Sequence, residues 1–239
     1  QKAKYVYIMG KHAYHNRKKI KLVDDNTQPI WGQHRNYDDY LREGEKKLKI
    51  KKKKALFIDQ AAPYHPDLAE IGLSDVNAKE YYESIKKFLD KLQKYFGYGI
   101  EISCHPKTNQ KILKKYLIFF VIKKGETIKQ VRYSNLIVLH DSGVRNFAVI
   151  YKKPIIFITN NCLNNSTYPH YENSNTVAKF LDKKTVNIDS YSVLDINNNL
   201  KINNRIYRNY FKNFIKFKGL KKFQADIIFE KLKKDKIWI

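Results

Sequence analysis

The sequence predicts an α/β fold, a parallel sheet flanked by helices and followed by a basic helical tail. Three observations carry this prediction. Five apolar runs of strand length lie between Ala55 and Ile158, and segments with helical spacing separate most of them. The final 37 residues are basic and amphipathic. Strands alternating with helices imply right-handed crossovers, and therefore a parallel sheet covered by helices.

Ahead of that pattern, Tyr5–Met9 reads as a short strand. It leads into a polar stretch holding Trp31, His34 and the pair Asp38 and Asp39. Glu45–Lys54 (EKKLKIKKKK) carries seven lysines in ten positions. Such a block repels itself and reads as a solvated helix end or linker, which sets a boundary. ALFID (Ala55–Asp59) is a short apolar run ending in polar residues, a buried strand. Between Ala78 and Phe96, apolar residues at Tyr81, Tyr82, Ile85, Phe88, Leu89, Leu92, Tyr95 and Phe96 recur at helical spacing, and Gly97 and Gly99 stop the helix. IEISC (Ile100–Cys104), LIFFVI (Leu117–Ile122), LIVL (Leu136–Leu139) and PIIFI (Pro154–Ile158) are the remaining strands. Asn203–Ile239 reads as two helices broken near Gly219. The expected organisation is residues 1–54 as the remnant of a preceding domain or a linker, 55–202 as the sheet domain, and 203–239 as helices packing on or across it.

The composition narrows the function. Lys and Arg number 47 against 23 Asp and Glu, a net charge of +24, and 43% of residues are hydrophobic. That apolar content excludes a disordered basic tail. The cations are 40 Lys and only 7 Arg, alongside 21 Asn and 27 Ile, three residue types with A/T-rich codons. Nucleic-acid readers favour Arg, whose planar fork pairs bidentately with guanine and phosphate, so the charge argues against a nucleic-acid partner. The longest aliphatic and aromatic run is six residues, too short to span a bilayer, and no signal-peptide pattern is present. Cys104 and Cys162 form neither a disulfide framework nor a zinc site, which points to a reducing, cytoplasmic setting.

In an open parallel sheet, ligands bind beyond the carboxyl ends of the strands. The residues that follow each strand are therefore the candidate site. They are Asp59 and Gln60, then Tyr64-His65-Pro66-Asp67; His105, Pro106, Lys107 and Thr108; Gly125 and Thr127 in KKGET; His140, Asp141, Ser142 and Gly143; and Thr159-Asn160-Asn161. Three of the seven histidines fall on this one rim. HDSG precedes a helical pattern from Val144 to Tyr151, so Ser142 caps a helix and Gly143 lets an anion approach free backbone amides. Gly125 and Thr127 open a second such turn, and His105 and Lys107 add donors and positive charge. The expected ligand is anionic and phosphate-bearing. There is no Walker sequence, no G-x-G-x-x-G and no Asp-x-Asp pair, so no metal or cofactor is expected. His12 and His15 lack further ligands for a metal. Structural alternatives stand beside these readings: Ser142 as an ordinary cap, His105 as a strand end, Asp59 and His140 as buried polar residues bonded to backbone.

LFIDQAAPYHPDL, EYYESIKKFLDKL, the HPKT after a strand and LIVLHDSGVRNFAVIYKKPIIFIT together resemble bacterial surface-polysaccharide glycosyltransferases. These are GT-B enzymes of capsule and lipopolysaccharide synthesis, related in layout to bacterial sialyltransferases with a His-Pro motif and a Ser-rich motif. The resemblance runs from about Trp31 to Thr159, and WGQHRNYDDYL is similar to the segment preceding the domain in that family. It implies one Rossmann-like half of a GT-B fold that binds a nucleotide-sugar donor, CMP-linked by the His-Pro motif, with a glycan or glycolipid acceptor. His105 takes the position of the His that assists the leaving phosphate. Ser142 takes the first place of the Ser/Thr pair, and Gly143 stands where the second hydroxyl would be. Residues 1–54 are too few for an acceptor-binding domain, so the chain resembles a carboxy-terminal donor domain, and the general base is left unassigned. LHDSGVRNFAVIYKKPI also resembles the DSGG segment of UDP-N-acetylglucosamine 2-epimerases, but Asn146 and Phe147 stand where that segment has two acidic residues. The alternative of a different class is a non-catalytic basic module whose lysine block and tail bind anionic lipid or nucleic acid, and with it peripheral contact at the inner membrane.

Overall fold

The computed structural model describes residues 1–44, 52–65, 70, 72–73, 75–167 and 170–236. The chain opens with strand β1 (Tyr5–Ile8), helix α1 (Lys11–Asn16), strand β2 (Gln28–Trp31) and helix α2 (Arg35–Glu43). Then come β3 (Lys54–Ile58), α3 (Ala78–Phe96), β4 (Gly99–Ser103), α4 (Gln110–Tyr116), β5 (Val121–Lys123), α5 (Thr127–Arg132), β6 (Leu136–Leu139) and α6 (Arg145–Ile150). After these follow β7 (Ile155–Thr159), α7 (Asn161–Asn164), α8 (His170–Phe180), β8 (Val186–Asn187) and α9 (Val193–Leu200). Helix α10 (Asn204–Tyr210), a π-helical turn over Phe211–Ile215, and α11 (Gln224–Lys234) complete the described elements.

The chain divides into two compact units, one of Gln1–Lys46 with Asn204–Ile239, the other of Lys47–Asn203. The second is the α/β domain the sequence predicts. Its six strands lie in the order β5-β4-β3-β6-β7-β8, and every pairing is parallel. β3 is central: Ala55 pairs with Ile100 on one side and with Leu136 on the other. Ala55, Leu56 and Phe57 are wholly buried, as are all four residues of β6, because helices cover both faces of a parallel sheet.

Helix α3 begins where the Asn77 side chain accepts hydrogen bonds from the Lys79 and Glu80 amides, an N-cap that satisfies two otherwise orphaned donors. It ends at Gly97, whose φ of 67° is left-handed and whose amide returns to the Gln93 carbonyl. Its buried face, Tyr81, Tyr82, Ile85, Phe88, Leu89 and Leu92, joins the main hydrophobic cluster with Phe57, Ile102 and Val138. Tyr95, expected on that face, is 68% exposed.

The run expected as one strand over Leu117–Ile122 is divided. Leu117 follows α4 and is buried, Phe120 is 9% exposed, and the intervening Ile118 and Phe119 face solvent. The strand proper is only Val121–Lys123, at the sheet edge. An edge strand has one neighbour and needs little apolar surface, so the run serves the turn before it. The sixth strand, β8, has two residues and carries no apolar run to announce it.

In the first unit, β1 and β2 form a parallel pair with Tyr7 opposite Ile30. A buried polar network ties this pair to the last helices. The Gln33 amide nitrogen donates to Asp38 Oδ1 (2.5 Å) and to the Lys222 carbonyl (2.8 Å), and Lys216 Nζ donates to Gln33 Oε1 (2.6 Å). Asp38 accepts the Gln224 amide at the start of α11, and the His34 amide donates to the Ile215 carbonyl. Residues 204–236 therefore pack with residues 1–44. The expected boundary block lies mostly outside the described residues, at 45–51. Among the described residues no helix is long and apolar enough to cross a membrane.

The divided run makes a direct prediction. Phe120→Ala removes a core side chain and is expected to cost about 2–4 kcal/mol in urea unfolding, whereas Phe119→Ala is expected to cost under about 1 kcal/mol. Equal losses would overturn this placement.

Candidate functional site

The order of the sheet reverses at β3: the chain runs outward through β4 to β5, then returns to lay β6 on the other flank. Loops leaving the two strands at such a switch point part and leave a crevice beyond the carboxyl ends. Here it is a cleft of about 310 Å³. Asp59, Gln60 and His65 enter it from the loop after β3, and Ser103, Cys104, His105 and Pro106 from the end of β4. Thr127 enters from α5, and Asp141, Ser142, Gly143, Val144 and Phe147 from the turn into α6.

Nine of the rim residues the sequence singles out therefore meet: Asp59, Gln60, His65, His105, Pro106, Thr127, Asp141, Ser142 and Gly143. Tyr64, Lys107, Thr108, Gly125, His140, Thr159, Asn160 and Asn161 do not line the cleft. Lys107 is exposed, and Thr108 is buried where its amide closes the His105-Pro106-Lys107-Thr108 turn onto the His105 carbonyl (2.9 Å). Gly125 supplies a left-handed φ of 81° in the turn before α5. His140 is a core residue. Its Nδ1 donates to the Ile158 carbonyl (2.8 Å), which leaves Nε2 to accept the Tyr81 hydroxyl (2.9 Å), and its ring packs edge-on against Phe57. Pro66 and Asp67 lie outside the described residues.

Several short bonds hold the rim. The Gln60 side chain bridges to the backbone of Asp141, accepting its amide (3.0 Å) and donating to its carbonyl. This two-point clamp fixes the loop after β3 to the turn after β6, so Gln60 positions the site. Asp141 Oδ1 pairs with Arg145 one helical turn on, at 2.9 Å. Ser142 Oγ accepts the Val144 amide (3.3 Å), and Gly143 stands open, with nothing within 4 Å of where a Cβ would sit. Ser103 and Thr127 hydroxyls lie 2.7 Å apart and join β4 to α5.

His105 is held by its own turn. The Lys107 amide donates to Nδ1 (3.3 Å), which assigns the proton of the neutral ring to Nε2. Its ring packs against that of His65, centroids 5.0 Å apart. Behind them Asp59 is 1% exposed. Burial raises its carboxyl from the ordinary 3.8 to about 7, against the opposing pull of the Ala61 amide and the Tyr82 hydroxyl. The Tyr82 hydroxyl, 3.4 Å from Asp59 Oδ1, is pushed far up by its own burial and then by the Asp59 charge.

Ile58, Ser103, Cys104, Val144 and Phe147 complete the lining and were not candidates. Ile58 and Ser103 end their strands, Cys104 follows at once, and Val144 and Phe147 open α6, so packing rather than a motif brings them there. A larger depression of about 640 Å³ lies beside Lys183, Thr185 and Asn199. There Lys183 Nζ donates to the Asn199 carbonyl (2.7 Å) and so closes the end of α9.

No protein-family model matches the chain, and no curated protein matches its sequence. Solved structures match its fold. The UDP-GlcNAc 2-epimerase of Methanocaldococcus jannaschii, in complex with UDP-GlcNAc and UDP, aligns over 97% of this chain and 61% of its own, with a TM-score of 0.51 and 15% identity. S. aureus MnaA, in a co-structure with UDP, aligns over 89% of this chain and 56% of its own, with a TM-score of 0.53 and 13% identity. The chain thus spans about three fifths of the length of the structures it matches. The α/β domain has the Rossmann-like layout of GT-B-type folds.

Two predictions test this assignment of parts. His140→Ala leaves the Tyr81 hydroxyl and the Ile158 carbonyl buried without their partner and is expected to cost about 2–4 kcal/mol of stability in denaturant unfolding. For Asp59 the folded pKa exceeds the unfolded one. Its stabilising contribution is whole below the unfolded pKa and is lost as pH rises through the folded value of about 7. Asp59→Asn is therefore expected to melt higher than wild type near pH 8, by up to about 4 kcal/mol, with the gain vanishing below about pH 4. Melting curves at a series of pH values check it, and a gain independent of pH would contradict it.

Proposed function

We propose that the cleft binds the phosphate-bearing part of a nucleotide sugar, and that this chain is the donor-binding half of a glycosyltransferase. The convergence of His105, Thr127, Ser142 and Gly143 on one cleft at the switch point carries the reading. Its volume falls at the lower end of the range for small-molecule sites. It holds two kinds of fixed donor, the His105 Nε2–H and the Ser142 hydroxyl, and the open backbone at Gly143 admits close approach.

In glycosyl transfer the bond from the sugar carbon to the phosphate oxygen breaks, and negative charge grows on the departing nucleotide. Donors held in place before that charge develops lower the barrier, because they need no reorganisation as it forms. His105 is suited to this role, since its turn holds the imidazole and its Nε2 proton can be donated to the leaving oxygen. Ser142 and the Gly143 amide bind the same phosphate from the β6 side, and the Gln60 clamp keeps the two sides in register. The His-Pro motif favours a CMP-linked donor, and the resemblance places the product among capsule or lipopolysaccharide glycans. The acceptor and the general base fall to a partner domain in this reading.

A second reading, a nucleotide-sugar 2-epimerase, is favoured by the fold likeness over nearly the whole chain. Against it, Asn146 and Phe147 stand in place of two acidic residues; Asn146 is buried, and Phe147 puts an apolar ring on the cleft.

Thermal melts with CMP, UDP and GDP separate the readings. A nucleotide present at about a hundred times its Kd stabilises the folded chain by about 2.7 kcal/mol. CMP is expected to raise the melting temperature most. A response to UDP alone favours the second reading, and no response to any nucleotide refutes both. His105→Ala is expected to weaken donor binding about tenfold or more, as loss of a charge-assisted hydrogen bond does. Unchanged affinity would count against the role given to His105.

A further inference from the structure

Asp59 is an acidic side chain of the cleft that neither reading uses. Its position is unusual for a carboxylate. It lies at the end of the central strand, almost wholly buried, and its Oδ2 has no hydrogen-bond partner among the described residues. Buried carboxylate oxygens are ordinarily bonded, and buried charges are paired. The other carboxylate of the cleft, Asp141, has its guanidinium in Arg145. No cation acts on Asp59 among the described residues: the groups that do are its own burial, the Ala61 amide and the Tyr82 hydroxyl.

The groups around it come from every side of the cleft. His65 belongs to its own loop, and Tyr82 reaches it from α3. Cys104 and His105 come from the end of β4, and the Asp59 charge itself pushes the Cys104 thiol up, after burial. Lys124, beyond β5, acts on Cys104 and is bonded to the Thr108 carbonyl (3.2 Å). Asp141 and Arg145 pair with one another on the β6 side of the cleft. A phosphate ester entering this space brings a further negative charge beside Asp59. Two anions in such surroundings repel more strongly than in water. The carboxylic acid instead offers an O–H to a phosphate oxygen, and a hydrogen bond to an anion is a strong one.

We propose that Asp59 holds a proton in the cleft and donates it, as a hydrogen bond from Oδ2, to an oxygen of the bound phosphate ester, so that ligand binding is linked to retention of that proton. No bond is made or broken and the proton stays on Asp59. The inference rests on the nucleotide-sugar reading and adds a residue that selects for a phosphate able to accept from an acid. The buried placement of the carboxyl, held up to about 7 before ligand arrives, is consistent with this.

The test uses UDP-GlcNAc and, in parallel, a CMP-linked sugar, whose phosphate esters do not titrate near neutrality. Affinity is measured by calorimetry from about pH 5.5 to about pH 8.5, the range over which a carboxyl so placed changes charge. Wild type is expected to lose affinity on the alkaline side by up to about tenfold per pH unit, the limit for one linked proton. Asp59→Asn keeps the shape and a donor but cannot ionise. It is expected to match wild type near pH 5.5 and to bind about tenfold more tightly near pH 8.5. Parallel profiles for the two proteins overturn the inference and leave the nucleotide reading intact. Absence of binding by either protein at every pH overturns both. Should Asp59→Asn not fold, Asp59→Ser supplies a smaller donor. Wild type alone, titrated near pH 8 in buffers of different ionisation heat, is expected to take up protons on binding, and zero uptake overturns the inference.

Discussion

The pairing of β3 with β4 on one side and β6 on the other is the constraint on which the rest of the α/β domain depends. A central parallel strand is buried on both faces, so Ala55, Leu56 and Phe57 can be nothing but apolar, and its register is locked by two neighbours at once. Because the chain reverses its direction of growth at this strand, the loops after β3 and β6 diverge. The crevice is a consequence of topology, present before any side chain is chosen. What the side chains add is the Gln60–Asp141 clamp, which spans the divergence and stops the two loops from drifting apart.

The same geometry explains why polar groups in and behind the cleft differ in their duties. His105 sits in a turn closed by its own backbone, with Nδ1 already engaged and its ring against His65. His140 follows β6, on the far side of β3, yet both its nitrogens are bonded in the core. A short distance along the sheet separates a histidine able to meet a ligand from one that holds α3 and β7 together. Asp59 and Asp141 differ likewise. They leave neighbouring strands, but only Asp141 is followed by an arginine one turn into a helix. Asp59 is left to burial, and its chemistry follows from that.

The first unit has a different logic. Residues 1–44 supply only two short strands and two helices with few fully buried apolar side chains. The described residues of the last two helices complete that core, through a polar network centred on Gln33 and Lys216. A buried amide bonded by three separate segments specifies their arrangement more sharply than apolar contact does, since each misplacement leaves a buried polar group unsatisfied.

By itself, the sequence determined the α/β class, the span of α3, the β6 strand and the rim on which nine candidate residues meet. These follow from periodicity and from the short range of capping chemistry, as at Gly97. Only the tertiary structure decided which rim residues face the cleft and which face the core. Lys107, Thr108 and His140 share their neighbours' polarity, and position in the chain does not tell an inward side chain from an outward one at a strand's end. It also decided that Leu117–Ile122 is an anchor and a turn before a three-residue edge strand, because a strand with one neighbour has half the burial to satisfy. The two-residue β8 and the union of the tail with residues 1–44 depend on contacts far apart in sequence, and local pattern carries no information about them.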